Sequence, residues 1–118
     1  SFFNVWAERF PLATRTQQEY KDEAESFVSG LGAIAFPAQE FRATLVEEEV
    51  NIEGGQPRYK FSYRIESPRE SPVKAIVFYA WRCVSLGTDI KATALIKDEP
   101  VQTLLREVEG MVDSVSCL

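Results

Sequence analysis

The sequence predicts an α+β domain in which an antiparallel β-sheet is sandwiched between helices, in the order strand, helix, four strands, helix. Three observations carry this expectation. Thr16–Gly30 and the segment that follows Asp98 space their apolar residues at three and four, the period of a helix with one buried face. Between them, four segments alternate polar and apolar residues or run apolar throughout, the period of strands. One of the four, Val73–Leu86, is apolar on both faces and needs a layer on each side.

Each element has its own signals. Phe3, Val5 and Ala7 alternate with Asn4, Trp6 and Glu8, so Phe2–Phe10 reads as a strand ended by Pro11. Thr16 and Glu19 form a capping-box pattern, and Tyr20, Ala24, Phe27, Val28 and Leu31 make one stripe that Gly30 and Gly32 are expected to end. Ala33–Gln39 has no readable conformation. Phe41–Glu53 and Arg58–Ser67 read as strands around Gly54-Gly55-Gln56-Pro57, and Ser67–Pro72 as a polar, proline-bounded loop. In Val73–Leu86, Val77, Tyr79, Trp81 and Cys83 share one face, and Ile76, Phe78, Ala80 and Val84 the other. Gly87 turns the chain into Asp89–Lys97, where Ile90, Ala92, Ala94 and Ile96 share a face. With a tight turn at Gly87-Thr88, Ala92 and Ala94 are expected opposite Trp81, leaving room for its indole. Asp98 is a good N-cap and Pro100 is tolerated in a first turn, after which Val101, Leu104, Leu105, Val108, Val112 and Val115 trace a stripe with Met111 beside it.

Composition narrows the function. The 118 residues suit one domain, and 45% hydrophobic with 26% charged residues is an ordinary globular balance. A net charge of −5 argues against nucleic acid or an acidic membrane surface as partner, because such binding depends on lysines and arginines meeting phosphates. The absence of histidine removes the commonest general base, the commonest metal ligand and every Ser-His or Cys-His pair. Cys83 and Cys117 form no CxxC; a disulfide between them is compatible with the sequence but not dictated by it. No run approaches the roughly 18 apolar residues of a membrane span.

The stretch "VEEEVNIEGGQPRYKFSYRIES" (46–67) is the most informative. Tyr59, Phe61, Tyr63 and Ile65 fall on one face of a strand; Arg58, Lys60, Ser62 and Arg64 fall on the other. A four-residue loop pairs Glu53 with Arg58, Asn51 with Lys60 and Glu47 with Arg64, and sets Val50 on Phe61 and Val46 on Ile65. Acid then meets base on one face and apolar meets apolar on the other. Glu47 and Glu49 point away from Glu48 on a strand, which speaks against a metal loop, and Gly-Gly without a following lysine and helix is a turn rather than a phosphate loop. Glu48 is the misfit, an acid on the aromatic face near Tyr63; a sheet edge or a hydroxyl partner would explain it. The basic stripe Arg58, Lys60 and Arg64, with Arg42, Lys91 or Arg82 if adjacent, has two readings: a docking surface for an acidic protein, or a solvated face neutralised by its own glutamates.

From Ala43 onward the sequence resembles the PsbP-like domains of the thylakoid lumen. The resemblance is carried by "ATLVEEEVNIEGGQPRYKFSYRIES", similar to a glycine turn followed by a tyrosine-rich strand; by "AIVFYAWRCVSLGTDIKATALIKDEP", similar to the following hairpin; and by "VQTLLREVEGMVDSV", similar to the closing helix. Val115 stands where that family commonly has phenylalanine, and Asp98-Glu99-Pro100-Val101 stands where it commonly has Lys-Arg-Trp. The family's initial strands have no counterpart before Phe2, so 1–118 is expected to be a single, N-terminally incomplete domain.

The resemblance implies a non-enzymatic extrinsic protein of the chloroplast thylakoid lumen, peripheral to the membrane and without a transmembrane segment. It implies photosystem core or antenna subunits as partners, photosystem II ahead of photosystem I; the histidines that some members of that family use near metal are missing at the matching positions, so no metal ligand is carried over and no cofactor is expected. Arg58, Lys60, Arg64, Arg69 and Glu70 are the candidate contacts. Two alternatives stand beside it: a small thiol-redox factor or enzyme using Cys117 or Cys83, and an adaptor of the same fold outside the chloroplast, such as a GTPase-binding module.

Overall fold

A computed structural model describes residues 2–9, 15–35, 42–53, 56–66, 74–83, 87–96 and 101–114. The elements follow the predicted order: β1 (Phe2–Arg9), α1 (Gln17–Ala35), β2 (Arg42–Glu53), β3 (Gln56–Glu66), β4 (Ala75–Cys83), β5 (Thr88–Ile96) and α2 (Val101–Ser114). The strands form one antiparallel sheet in the order β1-β5-β4-β3-β2. The doubly apolar strand, β4, is therefore central, with β2 and β1 at the edges.

Each helix covers one face. Thr16 caps α1 as its spacing predicts: its Oγ1 accepts from the Glu19 backbone N–H (3.2 Å), and the Thr16 N–H donates to Glu19 Oε1 (3.1 Å). Tyr20, Ala24 and Val28, four residues apart, are buried against Phe61, Tyr63 and Ile65 of β3 and Ile76, Phe78 and Ala80 of β4. Phe27 packs on Phe78 with ring centroids 5.9 Å apart. On the opposite face Val108 and Val112 of α2 pack with Val77, Tyr79 and Trp81 of β4 and Ile90, Ala92, Ala94 and Ile96 of β5. Complete burial of each large apolar side chain contributes about 1.5–3 kcal/mol, which makes β4 and its two neighbours the stable centre.

The structure departs from the expectations in four places. First, α1 does not stop at Gly30 or Gly32 but runs to Ala35. Gly30 is helical, and among the described residues only Gly87 has a positive φ, 64°. Glycine inside a helix costs about 1 kcal/mol, and packing of Leu31 against the core offsets it.

Second, the β2–β3 pairing reaches Glu53↔Gln56, so the connection is two residues rather than four; Glu49 faces Lys60, and Val50 faces Tyr59. Pro57 was expected inside that four-residue loop. However, β4 pairs with β3 only from Arg58 onward, so at Pro57 the strand has one neighbour and a missing N–H is tolerated.

Third, a bulge between Leu45 and Glu47 leaves Val46 unpaired, so Val46 does not face Ile65; Ala43 does. The extra residue swings Leu45 and Ala43 onto the α1 face, where both pack against the core.

Fourth, Ile90 rather than an alanine lies opposite Trp81, because the pairing runs on to Cys83↔Thr88; Ala92 faces Tyr79 and Ala94 faces Val77. The two alanines make room for α2 instead of the indole. Val84–Leu86, Ser67–Pro72 beyond the end of β3, and the expected cap Asp98–Pro100 lie outside the described residues.

Ala94 is fully enclosed, so the added volume of Ala94→Leu is expected to destabilise the fold by about 1–3 kcal/mol through overpacking. Urea unfolding checks this; an unchanged midpoint contradicts the placement of α2 over β5.

Candidate functional site

The sequence alternates charge and aromatic side chains along β3, and the sheet sends its charged side toward α2. There Lys60 Nζ donates to Glu109 Oε1 of α2 (2.6 Å) and Glu47 Oε1 of β2 (3.1 Å), with Glu49 Oε2 at 3.8 Å. Lys60 is only 7% exposed. Burial alone pushes its ammonium pKa down, but the hydrogen bonds to Glu109 and Glu47 outweigh that and hold it above the ordinary lysine value. The same hydrogen bond lowers the Glu47 pKa against a smaller opposing effect of burial. Beside this cluster is a cavity of about 310 Å³ lined by Glu49, Asn51, Arg58, Lys60, Tyr79 and Glu109.

The candidate contact residues therefore separate. Arg58 is half-buried, its guanidinium 4.6 Å from the centre of the Trp81 ring, directly across the β3–β4 pair. Lys60 is enclosed by glutamates of β2 and α2. Arg64 remains outward, its side chain 60% exposed and both Nε and a terminal nitrogen 2.9 Å from Glu66 Oε1. Arg42, opposite Glu66, is exposed on the same side. Arg69 and Glu70 lie outside the described residues. Lys91 and Arg82 do not extend the stripe; they belong to the opposite face, because they pair in register with Ala80 and Asp89.

That opposite face holds a cluster the sequence reading missed. Asp89, Lys91 and Thr93 of β5 are buried beneath α1. Lys91 Nζ donates to Glu8 Oε2 of β1 (2.6 Å) and to Glu23 Oε1 of α1. Glu23 also meets Arg15 (2.6 Å), which reaches within 3.8 Å of Asp89. Asp89 Oδ1 accepts from the Tyr20 hydroxyl and from Arg82 Nε, both at 3.1 Å. Burial, with the Asp89 charge and hydrogen bond adding to it, pushes the Tyr20 pKa up to about 12. The available signal was the period of β5: Asp89 and Lys91 alternate with Ile90 and Ala92 in a strand that must be covered on both sides.

Glu48 is explained by the same helix. It projects toward α1, where Lys21 Nζ lies 3.2 Å from Oε1 and Gln17 Nε2 donates to Oε2 at 2.5 Å. Its strand is an edge, as one of the two explanations required. Cys83 is enclosed and disulfide-bonded, so it offers no free thiol; Cys117 lies outside the described residues.

Among the described residues, five antiparallel strands in one sheet with a helix on each face define an α+β sandwich. No family model and no curated protein matches the chain. Among solved structures it is similar to cyanobacterial PsbP (CyanoP) from Synechocystis sp. PCC 6803, with a TM-score of 0.68 and 16% identity. The likeness covers 95% of this chain and 64% of that one, so the chain spans less than two thirds of the length of the structure it matches. The fold is PsbP-like.

The Tyr20 contact gives stability a pH dependence. The phenol loses its proton at about 10 in the unfolded chain and at about 12 in the fold, so its contribution is complete below pH 10 and lost as pH rises through 12. Stability is expected to fall across that window, and Tyr20→Phe to flatten this part of the decline. Denaturant melts of both proteins at stepped alkaline pH check it; equal slopes contradict the buried contact with Asp89.

Proposed function

We propose that the chain is a non-enzymatic extrinsic protein of the thylakoid lumen that stabilises or helps assemble a photosystem, photosystem II ahead of photosystem I, through protein contacts. The observation that carries this reading is the PsbP-like fold along 95% of the chain, matched to a protein described as cyanobacterial PsbP. The sequence resemblance from Ala43 onward supports it independently of the backbone. Among the described residues, no helix is long and apolar enough to cross a membrane. The bonded state of Cys83 weighs against the thiol-enzyme alternative at that position.

The contact surface we favour is the basic end of the β2–β3 ladder, where Arg64 and Arg42 are exposed side by side with Glu66. Ser67–Pro72, with the candidate contacts Arg69 and Glu70, follows directly in the chain. Lys60 acts indirectly, by holding β2, β3 and α2 together beneath it.

The test is rebinding to salt-washed photosystem II membranes. The parent protein is expected to rebind, and Arg42→Glu combined with Arg64→Glu to bind about tenfold more weakly with a reduced salt dependence. Equal binding of the variant removes this surface, and failure of the parent to bind overturns the photosystem II reading.

A further inference from the structure

The outer edge of β2 has no strand against it among the described residues. β2 is a terminal strand of 12 residues, and no described strand or backbone hydrogen bond meets its outer side. In an antiparallel pair only about half of a strand's backbone groups point toward its neighbour, so the remainder of β2's N–H and C=O groups face outward. Large apolar side chains are exposed beside them: Val46 at 55%, Val50 at 40% and Ile52 at 70%. Beyond the bulge at Val46, the run Glu47–Glu53 pairs with β3 without interruption.

The faces of this run differ in chemistry. Glu48, Val50 and Ile52 lie on the α1 side, and α1 reaches Glu48 but leaves the two apolar residues uncovered. Glu47, Glu49 and Asn51 lie on the α2 side, with Glu49 and Asn51 at the rim of the 310 Å³ cavity. The acids Glu47, Glu48, Glu49 and Glu109 outnumber the neighbouring cations Lys21, Arg58 and Lys60, and their side chains stay partly open to solvent.

We propose that the outer edge of β2, from Glu47 to Glu53, is a strand-addition site for an extended segment of a partner protein that alternates basic and apolar residues. Added strands gain affinity from main-chain hydrogen bonds and specificity from alternate side chains. A strand laid here places every second side chain against Glu47, Glu49 and Asn51, where lysine or arginine is matched, and the others against Val50 and Ile52, where apolar groups are matched. β3 shows the pattern that β2 accepts: Arg58, Lys60 and Arg64 on one side; Tyr59, Phe61 and Tyr63 on the other. A second copy of β2 is disfavoured, since its Glu47–Glu53 run contains no lysine or arginine to set against Glu47 and Glu49. The site is distinct from the Arg42–Arg64 surface, and its test is independent of any photosystem.

The probe is a synthetic peptide of about ten residues alternating lysine and valine, titrated into the whole chain and followed by amide chemical shifts and hydrogen exchange. Its controls are a peptide of equal composition with lysines and valines in separate blocks, and the alternating peptide N-methylated at every second residue. The alternating peptide is expected to protect amides of Glu47–Glu53 and to bind at least about tenfold tighter than either control. Combining Val50→Lys with Ile52→Lys, both exposed, is expected to weaken it by a similar factor without unfolding the chain. Equal binding of the block or methylated peptide reduces the site to charge attraction and overturns the proposal. Protection elsewhere, no binding, or self-association of the chain through this edge overturns it as well.

Discussion

The structure depends on the burial of β4 from both sides. Ile76, Phe78 and Ala80 face one helix, while Val77, Tyr79, Trp81 and Cys83 face the other layer, so neither helix is dispensable to the sheet. The rest follows from that constraint. β3 and β5 flank β4 and inherit the same double cover; β5 meets α2 with alanines, and α1 meets β3 with small and aromatic residues in turn. The edge strands β1 and β2 have only partial cover, and β2 carries exposed apolar side chains.

Charge fastens these peripheral elements to that centre. Each face of the sheet holds one enclosed lysine that carboxylates from separate elements approach: Lys60 joins β3 to β2 and α2, and Lys91 joins β5 to β1 and α1. A buried ammonium is costly to desolvate, and its attraction to carboxylates is often only enough to offset that cost. Its value lies in specificity, because a slipped register would leave Lys60 or Lys91 enclosed without its acids. Arg64 and Arg42, beside Glu66, remain exposed on the same side.

Much of this was legible in the sequence, and the parts that were not share a cause. Element order, the Thr16–Glu19 cap and the two faces of β3 and β4 follow from local periodicity, which depends on residues near in sequence. Register depends on distant partners. Gln56 and Pro57 were placed in the loop because the single neighbour at Pro57 could not be known, and the bulge at Val46 has no local signature in "TLVEEEV". The end of α1 was misplaced for the same reason, since packing of Leu31 on the core outweighs the glycines around it. The Lys91 cluster needed β1, α1, β4 and β5 at once. At the candidate surface, the sequence identified the charged face, but only the fold separates enclosed Lys60 from exposed Arg64.

The burial pattern makes β3, β4 and β5 one cooperative centre on which β2 hangs as an open edge. Residue-resolved native-state hydrogen exchange measures this directly. Amides from Val77 to Trp81 are expected to exchange only through global unfolding, with the opening free energy found by denaturant melts, while the outward amides of Glu47–Glu53 exchange with little protection. If the β4 amides open locally, or if the outer β2 amides are protected as strongly as β4, the division into buried centre and open edge is contradicted.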